Sequence, residues 1–216
     1  MGTEVRLAPG PDYAPRLDRP HAPTGLDLDA LMQDLGYTRD WLACGVIDAA
    51  ELQRQHAAMV RGDDPHPEHW RLRAFHAFVD GATGFSDELL LRLIRLEDRG
   101  PDRTDLRAER LRALVGSRKL TPLQLRDLPR LCPAVLQPPV QRLYERELLL
   151  HRLQVEGAVA CFADVEACAD AHVQLQALQD PQLGTHELQR LATHGWNRQV
   201  RHVARDRLRR HSGQGT

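Results

Sequence analysis

The densest group of residues that could bind a metal ion lies in the first third of the chain. It contains two aspartates, a glutamate and two histidines: Asp63, Asp64, His66, Glu68 and His69. Imidazoles and carboxylates are common zinc ligands, but these two histidines lack the four-residue separation of a helical zinc site. A helix start explains the same residues, with Pro67 at the first position and Glu68 near the positive helix end. We therefore predict no metal ligands here.

A second group combines two thiols and an imidazole at helical spacing. Cys161, Val165, Cys168 and His172 lie at i, i+4, i+7 and i+11, so one continuous helix would present them on one face. Cys161 and Cys168 would then be about 10 Å apart along the helix axis, too far for one ion to bind both. Thiols and a half-buried imidazole at a contact between helices explain the spacing more simply. The pattern predicts packing in this stretch.

The third group is a row of arginines near the end of the chain. Arg198, Arg201, Arg205 and Arg209 recur at i, i+3, i+7 and i+11. Residues 186–211 hold seven arginines against two carboxylates, a local charge of +5, whereas the whole chain has a formal net charge of -1. Such a row could neutralise phosphates or face an acidic protein surface. The solvated face of a terminal helix would give the same pattern. These four arginines are our candidate residues for binding an anionic partner.

The signatures of common enzyme classes are missing from the sequence. The glycine-containing segment 81–86 has no lysine and follows no predicted strand, which argues against a phosphate-binding loop. The only three serines (Ser86, Ser117 and Ser212) do not lie in a nucleophile elbow. Most carboxylates alternate with arginines, a pattern typical of solvated helix faces. We therefore predict a protein that is not an enzyme, with no catalytic residue, metal or cofactor.

The composition favours helices throughout the chain. The sequence has 34 leucines against 2 isoleucines and 13 valines, and only 5% aromatic residues, whereas strands prefer β-branched and aromatic residues. No apolar run approaches the length of a membrane span, and the N-terminal segment has no apolar signal core. We expect a cytoplasmic protein that makes no membrane contact. The 28 arginines beside the single Lys119 indicate a GC-rich coding sequence, which favours a bacterial source.

Prolines and glycines divide the chain into three parts. Residues 1–25 contain five prolines, spaced too closely for a helix, and predict an extended or disordered arm. Leucine spacing predicts an N-terminal helical subregion over residues 26–61, in which Asp48 and Glu51 form a capping pair. The segment 62–67, rich in glycine, aspartate and proline, marks the boundary before the third part, residues 68–211.

Helix starts recur at regular intervals in this third part. Ser86, Thr121 and Thr185 are predicted N-caps, 35 and 64 residues apart, and the second interval equals two steps of 32. Each capped helix is followed by a second, longer predicted helix, over 104–117, 139–153 and 197–210. Helix pairs at a period of 30–40 residues indicate an α-solenoid.

Over residues 68–211 the chain resembles the HEAT-like helical repeats, and this resemblance implies an all-α fold of antiparallel helix pairs stacked as an α-solenoid. An irregular helical bundle is the alternative, since it would produce a similar pattern. A solenoid without catalytic groups favours a scaffold that binds another protein on an extended surface. An adaptor, an assembly factor or an immunity protein that neutralises a toxin would all fit this description.

Aromatic side chains are the expected anchors for a protein partner, and the candidates are Trp41, Trp70, Tyr144 and Trp196. The alternative function is nucleic-acid binding through the arginine row. The DNA glycosylases built from HEAT-like repeats imply that such an architecture can support base excision, although none of their site residues maps onto this chain. A metal-dependent hydrolase using His66 and His69 is a third hypothesis.

Overall fold

A computed structural model describes residues 27–97 and 103–213, and these residues form α-helices and one 3₁₀ helix, with no strand. The helices are α1 (Leu28–Asp34), α2 (Arg39–Ala43), α3 (Ala49–Val60), α4 (Pro67–Gly81), α5 (Asp87–Arg95), α6 (Arg103–Gly116), α7 (Pro122–Leu131), the 3₁₀ helix η1 (Pro133–Leu136), α8 (Gln141–Glu156), α9 (Phe162–Ala167), α10 (Ala171–Ala177), α11 (Thr185–His194) and α12 (Arg198–Gly213). The all-α prediction is confirmed. Within the described ranges, no helix is long and apolar enough to cross a membrane. The predicted arm, residues 1–25, lies outside the described residues.

Side-chain caps define several helix starts, as the sequence predicts. The Asp48 carboxylate accepts a hydrogen bond from the N–H of Glu51 at 2.8 Å, and the Ser86 hydroxyl accepts one from Leu89 at 3.2 Å. Thr121 and Gln124 form a reciprocal capping box at the start of α7. These bonds satisfy backbone N–H groups that have no partner inside the helix.

The predicted cap at Thr185 is wrong by one residue. Gly184 is the N-cap of α11 and Thr185 is the first helical residue. The Gly184 carbonyl already accepts the N–H of Leu188 at 3.1 Å, so the helix begins one position earlier. Leu183 and Leu188 are both fully buried, and their packing, which no local cap signal reports, sets where the chain enters the helix.

Two hydrophobic clusters meet along α8. The first extends from α1 to Tyr144 and includes Trp41, which packs edge-on against Phe75 with ring centroids 6.2 Å apart. The second begins at Leu149 and ends at Ala204 in α12. Because Trp41 belongs to the N-terminal subregion and Phe75 to α4, the subregion packs directly on the helices that follow it.

From α4 onward the even-numbered helices pack side by side in chain order: α4 on α6, α6 on α8, α8 on α10 and α10 on α12. In two of these pairs the C-terminal ends meet. Lys119, just after α6, donates hydrogen bonds to the carbonyls of Val79 and Asp80 at the end of α4, at 2.6 and 2.7 Å. Asp180, just after α10, accepts the N–H of Ala158 just after α8 at 2.6 Å. α4 and α6 therefore run in the same direction, and so do α8 and α10.

Cationic side chains bind backbone carbonyls at or just beyond several helix C-termini. Each joins two elements through a donor–carbonyl bond: Arg71 to Leu35, Arg110 to Leu96, Lys119 to Val79, Arg201 to Gly195 and Arg207 to Leu178. The C-terminus of a helix carries partial negative charge and unpaired carbonyls, so a cation is stabilising there. Part of the arginine content therefore holds the fold together.

The Asp180 bridge between α8 and α10 makes stability depend on pH. Its carboxylate accepts the N–H of Ala158 and, at 2.8 Å, the N–H of Gln182, and these bonds lower the pKa of Asp180 from its ordinary value. In the unfolded chain that pKa returns to about 3.9. The stabilisation is therefore fully present above about pH 5 and is lost as pH falls through the folded-state pKa. We expect Asp180→Asn to lower stability at pH 7 by about 1 kcal/mol and to flatten its decline in acid.

Urea unfolding between pH 3 and pH 7 measures both effects. Asp80→Asn is the matched control, because Asp80 is exposed and its carboxylate has no hydrogen-bond partner in the described part of the chain. If wild type and Asp180→Asn lose stability equally on acidification, the bridge does not contribute as argued.

Candidate functional site

The cluster that could have bound a metal is a helix start. Asp64, whose side chain is only 16% exposed, accepts hydrogen bonds from Arg73 at 2.8 Å and pairs with Nδ1 of His69 at 3.2 Å. Its backbone carbonyl accepts the indole N–H of Trp70 at 3.0 Å. Across residues 27–97 and 103–213, no group of three potential ligands is placed to hold a metal ion. These contacts organise the first turn of α4.

The thiol and imidazole stripe does not lie on one helix. α9 ends at Ala167 and α10 begins at Ala171, so the continuous helix expected between Cys161 and His172 is wrong. The Asp170 carboxylate accepts the N–H of His172 at 2.8 Å and thereby starts a new helix. Cys161 is buried, and burial raises the pKa of its thiol, which keeps it protonated and unreactive at neutral pH.

The arginine row lies on α12, opposite the side that packs on the core. Val200 and Ala204 are fully buried, so Arg198 and Arg205, half a turn away, point to solvent. Neither guanidinium has a hydrogen-bond or ion-pair partner in the part of the chain that the structure describes. These two arginines are uncompensated positive charges.

The other two arginines of the row have partners. Arg201 is half-buried and donates to the Gly195 carbonyl at 2.7 Å, at the end of α11. Arg209 pairs with Asp206, and Nε2 of His202 lies 3.3 Å from the same carboxylate. The hydrogen bond from Arg209 lowers the pKa of Asp206, so this acid is ionised within the row. The predicted line of four arginines therefore contains two that are free to bind.

Trp196 is the one candidate aromatic anchor that is largely exposed. Its exposed fraction is 58%, whereas Trp41 and Tyr144 are buried in the first core cluster. Trp70 is half-buried, with the Arg73 guanidinium 4.1 Å from its ring centroid. Trp196 precedes α12 by two residues, and Arg198 is the first residue of that helix. We call Trp196, Arg198 and Arg205 the C-terminal surface.

Two residues that the sequence did not single out position this surface. Gln174 of α10 is 1% exposed, and its carboxamide oxygen accepts the N–H of Trp196 at 2.7 Å. Gly195 lies between α11 and α12, where a Cβ would lie 2.5 Å from the Leu191 carbonyl and 2.6 Å from Cγ1 of Val200. No spacing pattern could reveal either residue, since both act through contacts between helices.

Comparison with protein-family models, curated proteins and solved structures found no match to this chain. No relative therefore supplies a site or an activity by analogy. The functional argument rests on the C-terminal surface itself: the exposed Trp196, whose backbone N–H is bound by a buried carboxamide, and two exposed guanidinium groups without a partner in the described residues.

Proposed function

We propose that this protein is a helical-repeat scaffold that binds an acidic surface of a protein partner through the C-terminal surface. The observation that carries the proposal is that the exposed Trp196 precedes α12, the helix on which Arg198 and Arg205 are exposed without a hydrogen-bond or ion-pair partner in the described residues. Tryptophan and arginine are the residues most enriched at positions that dominate binding energy in protein interfaces. An acidic partner supplies the carboxylates that the two arginines lack.

The order of the helices supports an α-solenoid of antiparallel pairs over residues 68–211, like the HEAT-like repeats. α4, α6, α8, α10 and α12 form one row of neighbours, and α5 with α7 and α9 with α11 form contacts in a second row. In such an array α1–α3 cover one end, since they share the first core cluster with α4–α8. α12 is the last helix that the structure describes, and its outer face, with Arg198 and Arg205, is exposed.

A protein partner fits the charges of the C-terminal surface better than a nucleic acid does. Asp206 is ionised within the arginine row and would repel phosphates. Within the arginine row only Arg198 and Arg205 make no hydrogen bond or ion pair in the described residues, whereas a nucleic-acid-binding protein can make roughly 6–10 phosphate contacts. An interface that needs one aromatic anchor and two charge pairs is satisfied by a protein surface.

The test is affinity capture of the full-length protein in its native host, with nuclease treatment before elution. We expect one partner in stoichiometric amount, and at least 10-fold weaker retention of that partner by Trp196→Ala and by Arg198→Glu. Arg142→Gln is the control, because Arg142 is an exposed arginine of α8 without a partner in the described residues. Raising the salt concentration should weaken the complex, since the paired charges are at the surface.

Two outcomes would contradict the proposal. A complex that disappears with nuclease, while untreated protein carries nucleic acid that salt removes, would establish the nucleic-acid alternative. Equal retention of the partner by Trp196→Ala, Arg198→Glu and the control would place the interface elsewhere on the protein.

A further inference from the structure

A polar cavity lies away from the C-terminal surface, where α6, α7, α8 and α10 converge at the junction of the two core clusters. Its volume is about 220 Å³, and Leu120, Leu125 and Leu150 form part of an apolar wall. Drug-sized ligands occupy pockets of roughly 300–1,000 Å³, so this cavity suits a smaller group.

Arg118 stands at the mouth of this cavity in a fixed position. Its backbone has a φ of 58°, and its Nε donates to the Glu147 carboxylate at 3.1 Å. One of its Nη atoms lies 3.2 Å from Nε2 of His172, which must accept because a guanidinium only donates. These two bonds use two of its five N–H groups, so three remain on a side chain that is 58% exposed.

The charges around Arg118 would be balanced by one further anionic group. Glu147 is only 6% exposed and is bonded by both Arg118 and Arg146, the latter at 2.8 Å. One carboxylate between two guanidinium groups leaves a single positive charge at the mouth. A single carboxylate from a ligand would balance that charge, whereas a phosphate dianion would exceed it and lie close to the buried Glu147.

Other polar groups in the wall have no partner. The side chain of Gln176 in α10 makes no hydrogen bond within the described residues, and Nε2 of His151 in α8 is buried without a partner. Polar atoms without a protein partner usually bind a ligand or water. The Nε2 atom of His151 is closed off from the cavity, so the half-buried Gln176 carboxamide is the polar group of this wall that a ligand oxygen can reach.

We propose that this cavity binds a single carboxylate group, which the free N–H groups of Arg118 hold at the mouth and the Gln176 carboxamide contacts on the α10 wall. A guanidinium fork matches the two oxygens of a carboxylate in plane, which favours this anion over a spherical one. The carboxylate belongs either to a small organic acid or to an acidic side chain of a bound protein, and both share the same chemistry. This site is independent of the proposed function at the C-terminal surface.

The experiment uses purified full-length protein and three probes: acetate, N-acetylglutamate α-amide as a mimic of a glutamate side chain, and inorganic phosphate. Each is titrated while nuclear magnetic resonance follows the arginine, histidine and glutamine side-chain signals. We expect saturable shifts of the Arg118 and Gln176 signals at millimolar acetate or amide. Saturation by acetate alone would indicate a small acid, and tighter binding of the amide would indicate a protein side chain.

Two variants test the site, and each of them keeps contacts that the other removes. Arg118→Gly suits the positive φ and leaves Arg146 to pair with Glu147, and we expect at least 10-fold weaker binding. Gln176→Met leaves the Arg118 pair intact and should weaken binding several-fold, while Arg142→Gln should bind like wild type. Unsaturable shifts spread over all arginines, tighter binding of phosphate than of both carboxylates, or undiminished binding by Arg118→Gly would overturn the proposal.

Discussion

Replacing Gln174 with leucine is expected to lower the free energy of unfolding by about 3 kcal/mol, because the substitution leaves buried backbone groups without partners. The Gln174 amide donates to the carbonyls of Val165 and Cys168, each at 3.0 Å, and its oxygen accepts the N–H of Trp196. Leucine has a similar size but replaces none of these bonds. The substitution should also displace Trp196 and weaken partner binding.

Thermal and urea unfolding followed by circular dichroism would measure this loss. A decrease of about 3 kcal/mol corresponds to a fall in Tm of roughly 6–12 °C for a chain of this size. Gln179→Leu is the control, because Gln179 is exposed and its side chain makes no hydrogen bond within the described ranges. If both variants unfold at the same Tm, the Gln174 carboxamide does not stabilise the contact of α10 with α9 and Trp196.

Substituting Gly195 with alanine is expected to destabilise the protein by about 2–3 kcal/mol through overpacking between α11 and α12. The backbone angles of Gly195, with φ of -52° and ψ of 141°, suit any residue, so conformational strain is not the cause. The added Cβ would lie within 2.6 Å of both the Leu191 carbonyl and Val200. Val200 is fully buried and cannot move aside, so the two helices must separate.

Gly81→Ala provides a sharp control for this prediction. Gly81 is the last residue of α4, and a Cβ there would meet nothing within 4 Å. Alanine has the higher helix propensity, so Gly81→Ala should be neutral or stabilising by up to about 1 kcal/mol. Comparing the urea midpoints of the two variants isolates the packing clash. Equal midpoints would show that α11 and α12 tolerate the extra methyl group.

These two substitutions differ from those that remove the binding groups themselves. Trp196→Ala and Arg198→Glu change exposed side chains, so they should leave the unfolding midpoint nearly unchanged while weakening the complex. Gln174→Leu and Gly195→Ala should reduce both stability and binding. A functional role of the C-terminal surface is therefore separable from its structural support.

The arginine row illustrates how far spacing alone could predict a site. Its i, i+3, i+7, i+11 spacing implies one helix face, and Val200 and Ala204 are buried on the opposite side of that helix. It could not distinguish Arg198, which is free, from Arg201, which caps the end of α11 through the Gly195 carbonyl. The difference depends on where the preceding helix ends in space, and helical periodicity contains no such information.

The cavity around Arg118 gave no signal in the sequence. Its polar residues come from a turn, from α8 and from α10, and Arg118 and His172 are separated by 54 positions. Arg118 is part of no motif, and the spacing that includes His172 predicts packing and not a cavity. The packing of helices brings these polar residues together, so only the tertiary structure shows the cavity.

The sequence by itself determined the helical class and most of the helix starts, because those depend on interactions within one turn. Thr121 and Gln124 show the limit of prediction from local spacing. Their capping box was evident from a three-residue spacing, but the amide of Gln124 also donates to the Phe85 carbonyl at 2.8 Å, across 39 positions. The break between α9 and α10 and the bond from Gln174 to Trp196 were likewise decided by tertiary structure. A buried polar group bonds to the partner that the packing of helices places beside it, and the sequence of a single helix does not show which partner that is.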